Sequence, residues 1–407
     1  MSGLTLHRPA YLPRMGLACL AALAAFALLG GSTAEAKKGK KGKGGKGGAG
    51  AVYAQTNDPA GNHIVVYRRA ADGTITERAR VATGGAGAPM TPPFGFPIVD
   101  SQGSIELTKN GRLLFAVNAG DDTVSSFRVK GKSLRLVDRK PSGGDLPVSL
   151  DSRRKLLYVV NSISGDISGL RFTKRGRMTP IPGSTEALSP AGANSAPAQI
   201  GFASKRRVLT VTLRGPQMLN TFRVARDGTP GPAVASPSDS PSPFGFEYQR
   251  AGNLIVSNAG QTGNPPDPTN PANFHGSATS YRLAGSGALT PIDHADIPGE
   301  RATCWVVITK NDKYAFMTNT LSNSVSRFRL TKGGDMTLLG NVAATGPGFA
   351  SDEALSRNSR YLYVLVPSIM GGASHVDVYR VGSGGTLTHI QATPSNLPPG
   401  VSGMAAR

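Results

Sequence analysis

Cysteine is nearly absent: the chain of 407 residues contains two, Cys19 and Cys304. Because Cys19 lies in an N-terminal segment that we expect to be removed, Cys304 is left alone and no intramolecular disulfide can stabilise the fold. Tryptophan occurs once, and 25 acidic residues face 45 lysines and arginines. A phosphate-binding loop, a zinc-ligand pattern and a nucleophilic-serine elbow are all missing, so we predict no cofactor and no metal site.

The N-terminus has the pattern of an export signal. Basic Arg8 and Arg14 precede an apolar run over residues 15–29, and the small-x-small sequence at 34–36 is typical of a cleavage site. A spanning helix needs roughly 20 apolar residues, and this run is shorter. We therefore predict a signal peptide over 1–36, no transmembrane segment after its removal, and a secreted protein that is extracellular, periplasmic or associated with the cell envelope.

A basic low-complexity segment, KKGKKGKGGKGGAG, follows at residues 37–50. Its lysines repel one another and its glycines gain little from ordering, so we expect a disordered tail. Two interpretations remain open. The tail is either a solubilising linker or an electrostatic tether to an anionic surface.

The rest of the chain repeats one strand pattern seven times. Each copy is a β-rich run that ends in an aromatic residue or leucine followed by arginine, as in TVSSFR and SVSRFR. The repeat spacing matches that of a propeller blade. The repeated arginines are Arg68, Arg128, Arg171, Arg223, Arg282, Arg329 and Arg380.

Each copy also contains an apolar strand before this run, often ending in Asn, a shorter strand after it, and a further strand at the start of the unit. Four strands joined by short turns predict an antiparallel blade. We therefore predict an all-β, seven-bladed β-propeller of four-stranded antiparallel blades over residues 51–407. The chain begins this region with three strands of a blade and ends with a lone inner-strand pattern at 400–406. We expect this last strand to join the N-terminal blade and close the ring.

Strand alternation also predicts which turns share a face of the propeller. The turns between strands one and two and between strands three and four fall on one face, and all are short. The opposite face receives every long connection, including 81–102, 182–198, 259–276 and 341–350. The short turns carry much of the formal net charge of +20 on Lys109, Arg112, Arg153, Arg154, Lys155, Lys174, Arg175, Lys205, Arg206, Arg207, Arg250, Lys310, Lys332 and Arg357.

This asymmetry suggests different partners for the two faces. The basic face and the tail are predicted to bind an anionic polymer of the envelope or nucleic acid, the alternative being that basic turns only keep the protein soluble. Long loops on a rigid scaffold usually carry recognition, so a small-molecule or carbohydrate site is predicted on the loop-rich face, at the channel mouth. We expect a monomer.

Units such as LLFAVNAGDDTVSSFRV, followed by a glycine turn and SLRLV, resemble the lactonase family of seven-bladed propellers, which includes 6-phosphogluconolactonase and carboxymuconate cyclase. The likeness covers residues 51–407. The segments SQGSIELTKNGR and CWVVITKNDKYAFMTN are similar to a secreted bacterial branch of that family. The resemblance implies hydrolysis of a lactone, with His, Arg and Glu on the starts of inner strands around the channel mouth.

The residues at those positions depart from the family pattern. The place of the family glutamate is taken by Ser104, Pro147, Gln199, Gly245, Trp305 and Asp352, so Asp352 is the single carboxylate among them. We name Asp352 and Glu106 as candidate catalytic residues and Ser104, Gln199, Trp305 and Glu353 as candidate substrate-binding residues; Glu247 is a lesser candidate like Glu106.

Each of these assignments has a structural alternative. Asp352 could be a hydrogen-bonded carboxylate without a catalytic role, and Trp305 could pack between blades. Neighbouring Asp352 and Glu353 are expected to point to opposite sides of their strand.

Two functions therefore remain open. The first is a secreted lactone hydrolase, similar to 6-phosphogluconolactonase, that opens a lactone or cyclic ester at the loop-rich channel mouth. The second is a non-catalytic ligand-binding or scaffold propeller, held at an anionic envelope surface by its basic face and tail.

Overall fold

The computed structural model describes residues 50–91, 96–97, 99–131, 133–260, 274–368, 374–394 and 396–407. The predicted signal peptide and almost all of the predicted tail lie outside these residues. Within them, no helix is long and apolar enough to span a membrane. The strands form seven antiparallel sheets arranged as the blades of a propeller, which confirms the predicted fold.

The first three blades follow the predicted strand order. Blade 1 contains β1 (Gly50–Gln55), β2 (His63–Arg69), β3 (Ile75–Ala82) and, as its innermost strand, β31 (Ser402–Ala406). A short hairpin of β4 (Met90–Thr91) and β5 (Phe96–Pro97) precedes blade 2, which contains β6 (Ile105–Leu107), β7 (Leu113–Asn118), β8 (Thr123–Lys130) and β9 (Ser133–Pro141). Blade 3 contains β10 (Pro147–Arg153), β11 (Leu156–Asn161), β12 (Asp166–Phe172) and a divided outer strand, β13 (Met178–Pro180) and β14 (Glu186–Ala187).

The other four blades have one strand of each kind. Blade 4 contains β15 (Pro197–Phe202), β16 (Val208–Leu213), β17 (Met218–Arg223) and β18 (Val234–Pro237), and blade 5 contains β19 (Pro243–Tyr248), β20 (Leu254–Asn258), β21 (Ser277–Leu283) and β22 (Leu289–Asp296). Blade 6 contains β23 (Thr303–Ile308), β24 (Tyr314–Asn319), β25 (Ser324–Leu330) and β26 (Met336–Ala343). Blade 7 contains β27 (Glu353–Leu355), β28 (Tyr361–Val366), β29 (His375–Val381) and β30 (Leu387–Ala392).

The C-terminal strand closes the ring, as predicted. β31 pairs antiparallel with β1, and Val52 stands opposite Ala406 and Tyr53 opposite Ala405. The side chain of Arg69 adds two hydrogen bonds to the carbonyl oxygen of Arg407 at the end of this strand. The edge of β1 that an open ring would expose is therefore covered.

The repeated aromatic–arginine pair has a simple physical basis. Successive side chains of a strand point to opposite sides of the sheet. The first residue of each pair is buried between blades with at most 1% of its surface exposed, and the arginine after it is exposed in all seven blades. Burial of one such large apolar side chain contributes about 1.5–3 kcal/mol. The buried residues are Tyr67, Phe127, Leu170, Phe222, Tyr281, Phe328 and Tyr379.

The repeated asparagine at the end of the second strand joins it to the third strand. In blade 2, Nδ2 of Asn118 donates to Thr123 Oγ1 at 3.0 Å and to Ser125 Oγ at 2.9 Å. In blade 6, Nδ2 of Asn319 donates in the same way to Ser324 and Ser326. Both asparagines are fully buried, so these bonds satisfy the donors of the buried amide group.

The two ends of the propeller differ as strand alternation requires. We call the end that carries the turns between strands one and two and between strands three and four the hairpin face. The end that carries all other connections is the connector face. The antiparallel pairing of consecutive strands in every blade places the basic turns on the hairpin face and the long connections on the connector face.

Candidate active site in the central channel

The innermost strand of each blade lines a central channel, and a segment of the chain closes this channel from the connector face. Residues 99–103, which precede β6 of blade 2, cross the channel and bond to blades on its far side. The Gln102 side chain donates from Nε2 to the carbonyl of Val306 in blade 6 at 2.8 Å, and Val306 N donates back to Gln102 Oε1 at 3.1 Å. The backbone N–H of Gln102 donates to the carbonyl of Ala198 in blade 4 at 3.0 Å.

Further contacts fix this plug, residues 99–103, in the channel. Trp305 Nε1 donates to the carbonyl of Ser101 at 3.2 Å, and Arg214 forms a 2.7 Å ion pair with Asp100. The sequence predicted a ligand site at the channel mouth of the connector face. In the described part of the chain the plug lies at that end of the channel, and the site predicted there stays a prediction. No local pattern in the sequence indicated that one connector folds back into the channel.

A cavity of about 450 Å³ lies on the hairpin side of the plug. Gln102 and Gly103 form its inner end, and the exposed side chains of Lys310 and Arg357 stand at its outer end. The volume lies within the usual range for small-molecule sites. The described structure therefore has a cavity of suitable size at the end of the channel opposite to the predicted ligand site.

Carboxyl groups dominate the polar lining of this cavity. Glu106, Asp151 and Glu247 occupy corresponding positions near the hairpin ends of β6, β10 and β19, opposite Phe115, Tyr158 and Ile255 in their ladders. Asp352 and Glu353, at the start of blade 7, complete the set. Burial of several carboxyl groups together disfavours their charged forms.

Glu247 and Glu353 both line the cavity, and the charge of Glu247 acts on Glu353. Burial raises the pKa of Glu247 to about 7, although the N–H of Ile308 donates to its Oε2 at 2.5 Å and so favours the carboxylate. The pKa of Glu353 is raised well above its ordinary value by burial and then by the negative charges of Asp352 and Glu247. The backbone N–H of Val307 acts against these effects and favours the carboxylate, and 3% of Glu353 is exposed. Burial and the neighbouring carboxylates therefore favour the protonated form of Glu353, and at neutral pH Glu247 is divided between its two forms.

Glu106 and Asp151 form a second pair across the boundary between blades 2 and 3. Burial and the charge of Asp151 raise the pKa of Glu106 well above its usual range. Asp151 is better supported, because its Oδ2 accepts from Phe202 N at 2.5 Å and its Oδ1 from Ser152 N at 2.6 Å. Of the two, Glu106 is the one whose protonated form is favoured, and a hydrogen bond between the two side chains raises the pKa of Glu106 and lowers that of Asp151.

Asp352 is used to join blades. Its Oδ1 accepts from the N–H of Glu353 at 2.8 Å, and its Oδ2 accepts from the N–H of Met404 in the closing strand at 2.9 Å. Burial nevertheless raises its pKa to about 7. The residue lines the cavity, but both oxygens are engaged, so its predicted catalytic role stays a prediction.

The other predicted residues are divided between the cavity and the plug. Gln199 lines the cavity and exchanges two hydrogen bonds with the backbone of Phe246. Ser104 and Trp305 are buried outside the cavity lining: Ser104 lies against Gly403, and Trp305 packs on Phe244 with ring centroids 4.8 Å apart. The structure thus brings together Glu106, Gln199, Asp352 and Glu353, but not Ser104 or Trp305.

Sequence reasoning missed Asp151 and gave Glu247 too little weight. The hairpin after β10 is shorter than that of the other blades, so counting back from the turn placed Pro147 where the structure has Ser149, whose Oγ accepts from Ile200 N at 3.1 Å. Aligning the strands by their apolar partners, with Tyr158 matched to Phe115, would have found Asp151.

Comparison with known families agrees with this architecture. The model of the family described as "Lactonase, 7-bladed beta-propeller" matches residues 60–175 and 276–400, which together make up more than half of the chain. The chain belongs to this family. No curated protein matches the chain.

Solved structures similar to this lactonase-family chain share its fold at low identity. A putative 6-phosphogluconolactonase from Bacteroides fragilis is 15% identical with a TM-score of 0.66, and the match covers 87% of this chain and 97% of that one. The periplasmic gluconolactonase PpgL of Pseudomonas aeruginosa has the same identity and TM-score, with 87% and 99% covered. Hydrazine synthase of Kuenenia stuttgartiensis is 14% identical with a TM-score of 0.55, covering 76% and 91%. The last example shows that the architecture alone does not decide the chemistry.

Proposed function

We propose that this lactonase-family propeller hydrolyses a lactone or a related cyclic ester in the channel cavity. The observation that carries the proposal is the pair of Glu247 and Glu353. One carboxyl group has a pKa of about 7, and the other is buried beside two carboxyl groups that raise its pKa well above the ordinary value. Two carboxyl groups with separated pKa values are the usual basis for a base and an acid in one site.

The roles follow from these protonation states. The Glu247 carboxylate accepts a proton from a water molecule as that water attacks the lactone carbonyl carbon. The protonated Glu353 donates a hydrogen bond to the carbonyl oxygen, on which negative charge develops. The tetrahedral intermediate then collapses with cleavage of the bond to the ring oxygen, which takes the proton from Glu247. The products are a hydroxy acid and the regenerated carboxylate, so water is the single co-reactant.

The similar structures support the class of reaction. The names of two of them refer to lactonases of sugar acids, and one of these proteins is described as periplasmic. We propose that this chain is likewise exported. Acidic groups inside the cavity favour a lactone whose reacting end is uncharged. The basic side chains of Lys310 and Arg357 at the outer end are placed to attract the carboxylate product.

Purified protein should be assayed by pH-stat against a panel of sugar and aliphatic lactones, including glucono-δ-lactone. We expect Glu247→Gln and Glu353→Gln each to reduce kcat/KM by about 10²-fold or more, the usual contribution of acid–base catalysis. The matched control is Glu77→Gln, since Glu77 lies on the outer strand of blade 1 in an ion pair with Arg80. Asp352→Asn tests the sequence-based candidate separately.

Two outcomes would contradict the proposal. Turnover that survives both substitutions would remove this carboxyl pair from the chemistry. Absence of turnover for every lactone, with ligand binding retained at the cavity, would favour the alternative of a non-catalytic binding propeller.

A further inference from the structure

The hairpin face carries a strong excess of positive charge, and the connector face has the opposite sign. The described turns of the hairpin face contain seventeen basic residues but only four acidic ones, Asp72, Asp227, Asp312 and Asp335. In the described connectors the acidic residues are Asp58, Asp100, Asp121, Asp122, Asp145, Asp239, Glu300 and Asp352, against Arg214 and Arg301. The seven repeated arginines, exposed near the hairpin ends of the third strands, add to the same side. The field of the molecule therefore attracts anions at one end.

Repulsion within this face is visible at single residues. The pKa of Arg153 is lowered by burial and then by the neighbouring charges of Arg154 and Arg207, against the opposing effect of Asp151. Elsewhere cations are neutralised within the protein, as in the pairs Arg80–Glu77, Arg139–Asp121 and Arg214–Asp100. The fold thus tolerates crowded positive charge on the hairpin face.

One part of this face is shaped as a cleft. A cavity of about 590 Å³ lies among the turns of blades 5, 6 and 7, with Arg250, Lys310 and Lys313 in its lining. All three side chains are exposed, and none forms an ion pair with a described residue. One carboxylate is close by, that of Asp312, which accepts from the backbone N–H of Arg250 at 2.8 Å. The cleft adjoins the channel cavity, because Lys310 and Ser359 line both.

The cleft also offers neutral hydrogen-bond donors. Oδ1 of Asn311 accepts from Thr309 Oγ1 and Lys313 N, and Oδ1 of Asn358 accepts from Ser356 Oγ and Arg360 N. The two Nδ2 groups make no hydrogen bond to described residues and remain available to a ligand. Cations together with amide donors suit a ligand that carries both carboxylate and hydroxyl oxygens.

The surface chemistry distinguishes between classes of polyanion. Proteins that bind single-stranded nucleic acid stack bases on exposed aromatic side chains. Among the described residues the single large hydrophobic side chain that is exposed is Ile163, which lies in the connector between β11 and β12. On the hairpin face the aromatic ring in the cleft lining is that of the half-buried Tyr314, and no large hydrophobic side chain described there is fully exposed, whereas the cleft has several cations and amide donors that bind an acidic sugar.

We propose that the hairpin face binds an acidic polysaccharide and that the cleft holds one of its carboxylate-bearing sugar residues. The polymer follows the basic turns around the channel mouth, and Arg250, Lys310 and Lys313 neutralise the carboxylate in the cleft. This proposal depends on the surface of blades 5 to 7 and does not require lactone hydrolysis.

The test measures affinity of the purified protein for immobilised polygalacturonate across a salt series, since attraction between exposed charges weakens as salt screens them. Dextran, poly-glutamate and single-stranded DNA of similar length serve as comparison probes. We expect binding to polygalacturonate at 50 mM salt that is at least tenfold tighter than to poly-glutamate or DNA, and no binding to dextran.

A matched pair of double variants locates the site. Arg250→Gln with Lys313→Gln removes two charges from the cleft without changing the lining of the channel cavity, and we expect at least a tenfold loss of affinity. Lys174→Gln with Arg175→Gln removes two charges from an outer turn of blade 3 on the same face, and we expect at most a threefold loss. Thermal unfolding of each variant checks that the fold is intact. Equal affinity for all polyanions, equal losses in both variants, or no binding to polygalacturonate would each overturn the proposal.

Discussion

Substitution of Glu247 by glutamine should make the protein more stable at alkaline pH. Burial raises the pKa of Glu247 to about 7 from an ordinary value of 4.5. A carboxyl group with a raised pKa in the folded state contributes its full stability below its unfolded pKa, and this stability is lost as pH rises through the folded value. The shift corresponds to about 3 kcal/mol, and partial exposure of the side chain reduces it to about 2–3 kcal/mol.

Glutamine removes the ionisation and keeps an acceptor for the N–H of Ile308. The difference in free energy of unfolding between Glu247→Gln and the parent should therefore be near zero at pH 4.5 and about 2–3 kcal/mol in favour of the variant at pH 8.5. For a ring of about 350 residues this corresponds to a rise in Tm of about 3–4 °C.

The measurement is unfolding by urea and by heat at several pH values between 4.5 and 8.5. Glu77→Gln is the control, and because Glu77 is on the surface we expect its effect to change by less than about 1 kcal/mol over this range. If Glu247→Gln has the same effect at pH 4.5 and pH 8.5, or destabilises the protein at pH 8.5, the reasoning about buried charge in the channel is refuted.

Three further predictions concern the plug, the ring closure and a buried aspartate. Gln102→Ala should cost about 2–4 kcal/mol in urea unfolding, because it leaves the N–H and carbonyl of Val306 unbonded, and a cost below 1 kcal/mol would contradict the bonding role. Asp352→Ala should speed hydrogen exchange at the N–H of Met404, and unchanged exchange would show that this contact does not hold the closing strand. The pKa of Asp377 is lowered, since bonds from neighbouring histidine and threonine outweigh burial, so the parent should lose stability below about pH 4 while Asp377→Asn should not.

The fold was predictable from the sequence because its signals are local and repeated. The alternation of Phe127 with Arg128 and the asparagine at Asn118 recur in other blades, and each reports on a contact within a blade or with its neighbour. The closing strand was predictable too, since residues 402–406 show an inner-strand pattern without partners in their own unit.

The site was predictable only in part, for a physical reason. Glu106 and Glu353 could be named from their place on inner strands, and both line the cavity. The plug depends on the bond between Gln102 and Val306, which are 204 residues apart, and no periodic pattern reports on such a contact. The predicted site at the connector face and the observed cavity lie at different ends of the channel. The alternation of strand direction shows at which end a connector lies, but it does not show which connector folds into the channel.

The pairing of β31 with β1 also sets a time scale for biosynthesis. The two strands of this pair are separated by about 350 residues of chain. At 5–20 residues per second a ribosome needs roughly 20–70 s to make that length. During this whole interval the backbone groups on the free edge of β1 lack their final partner, and they can pair with strands of other chains or with the wrong strand of this one. Shielding of that edge by a chaperone should therefore matter more for the yield of this protein than the intrinsic rate at which single blades form.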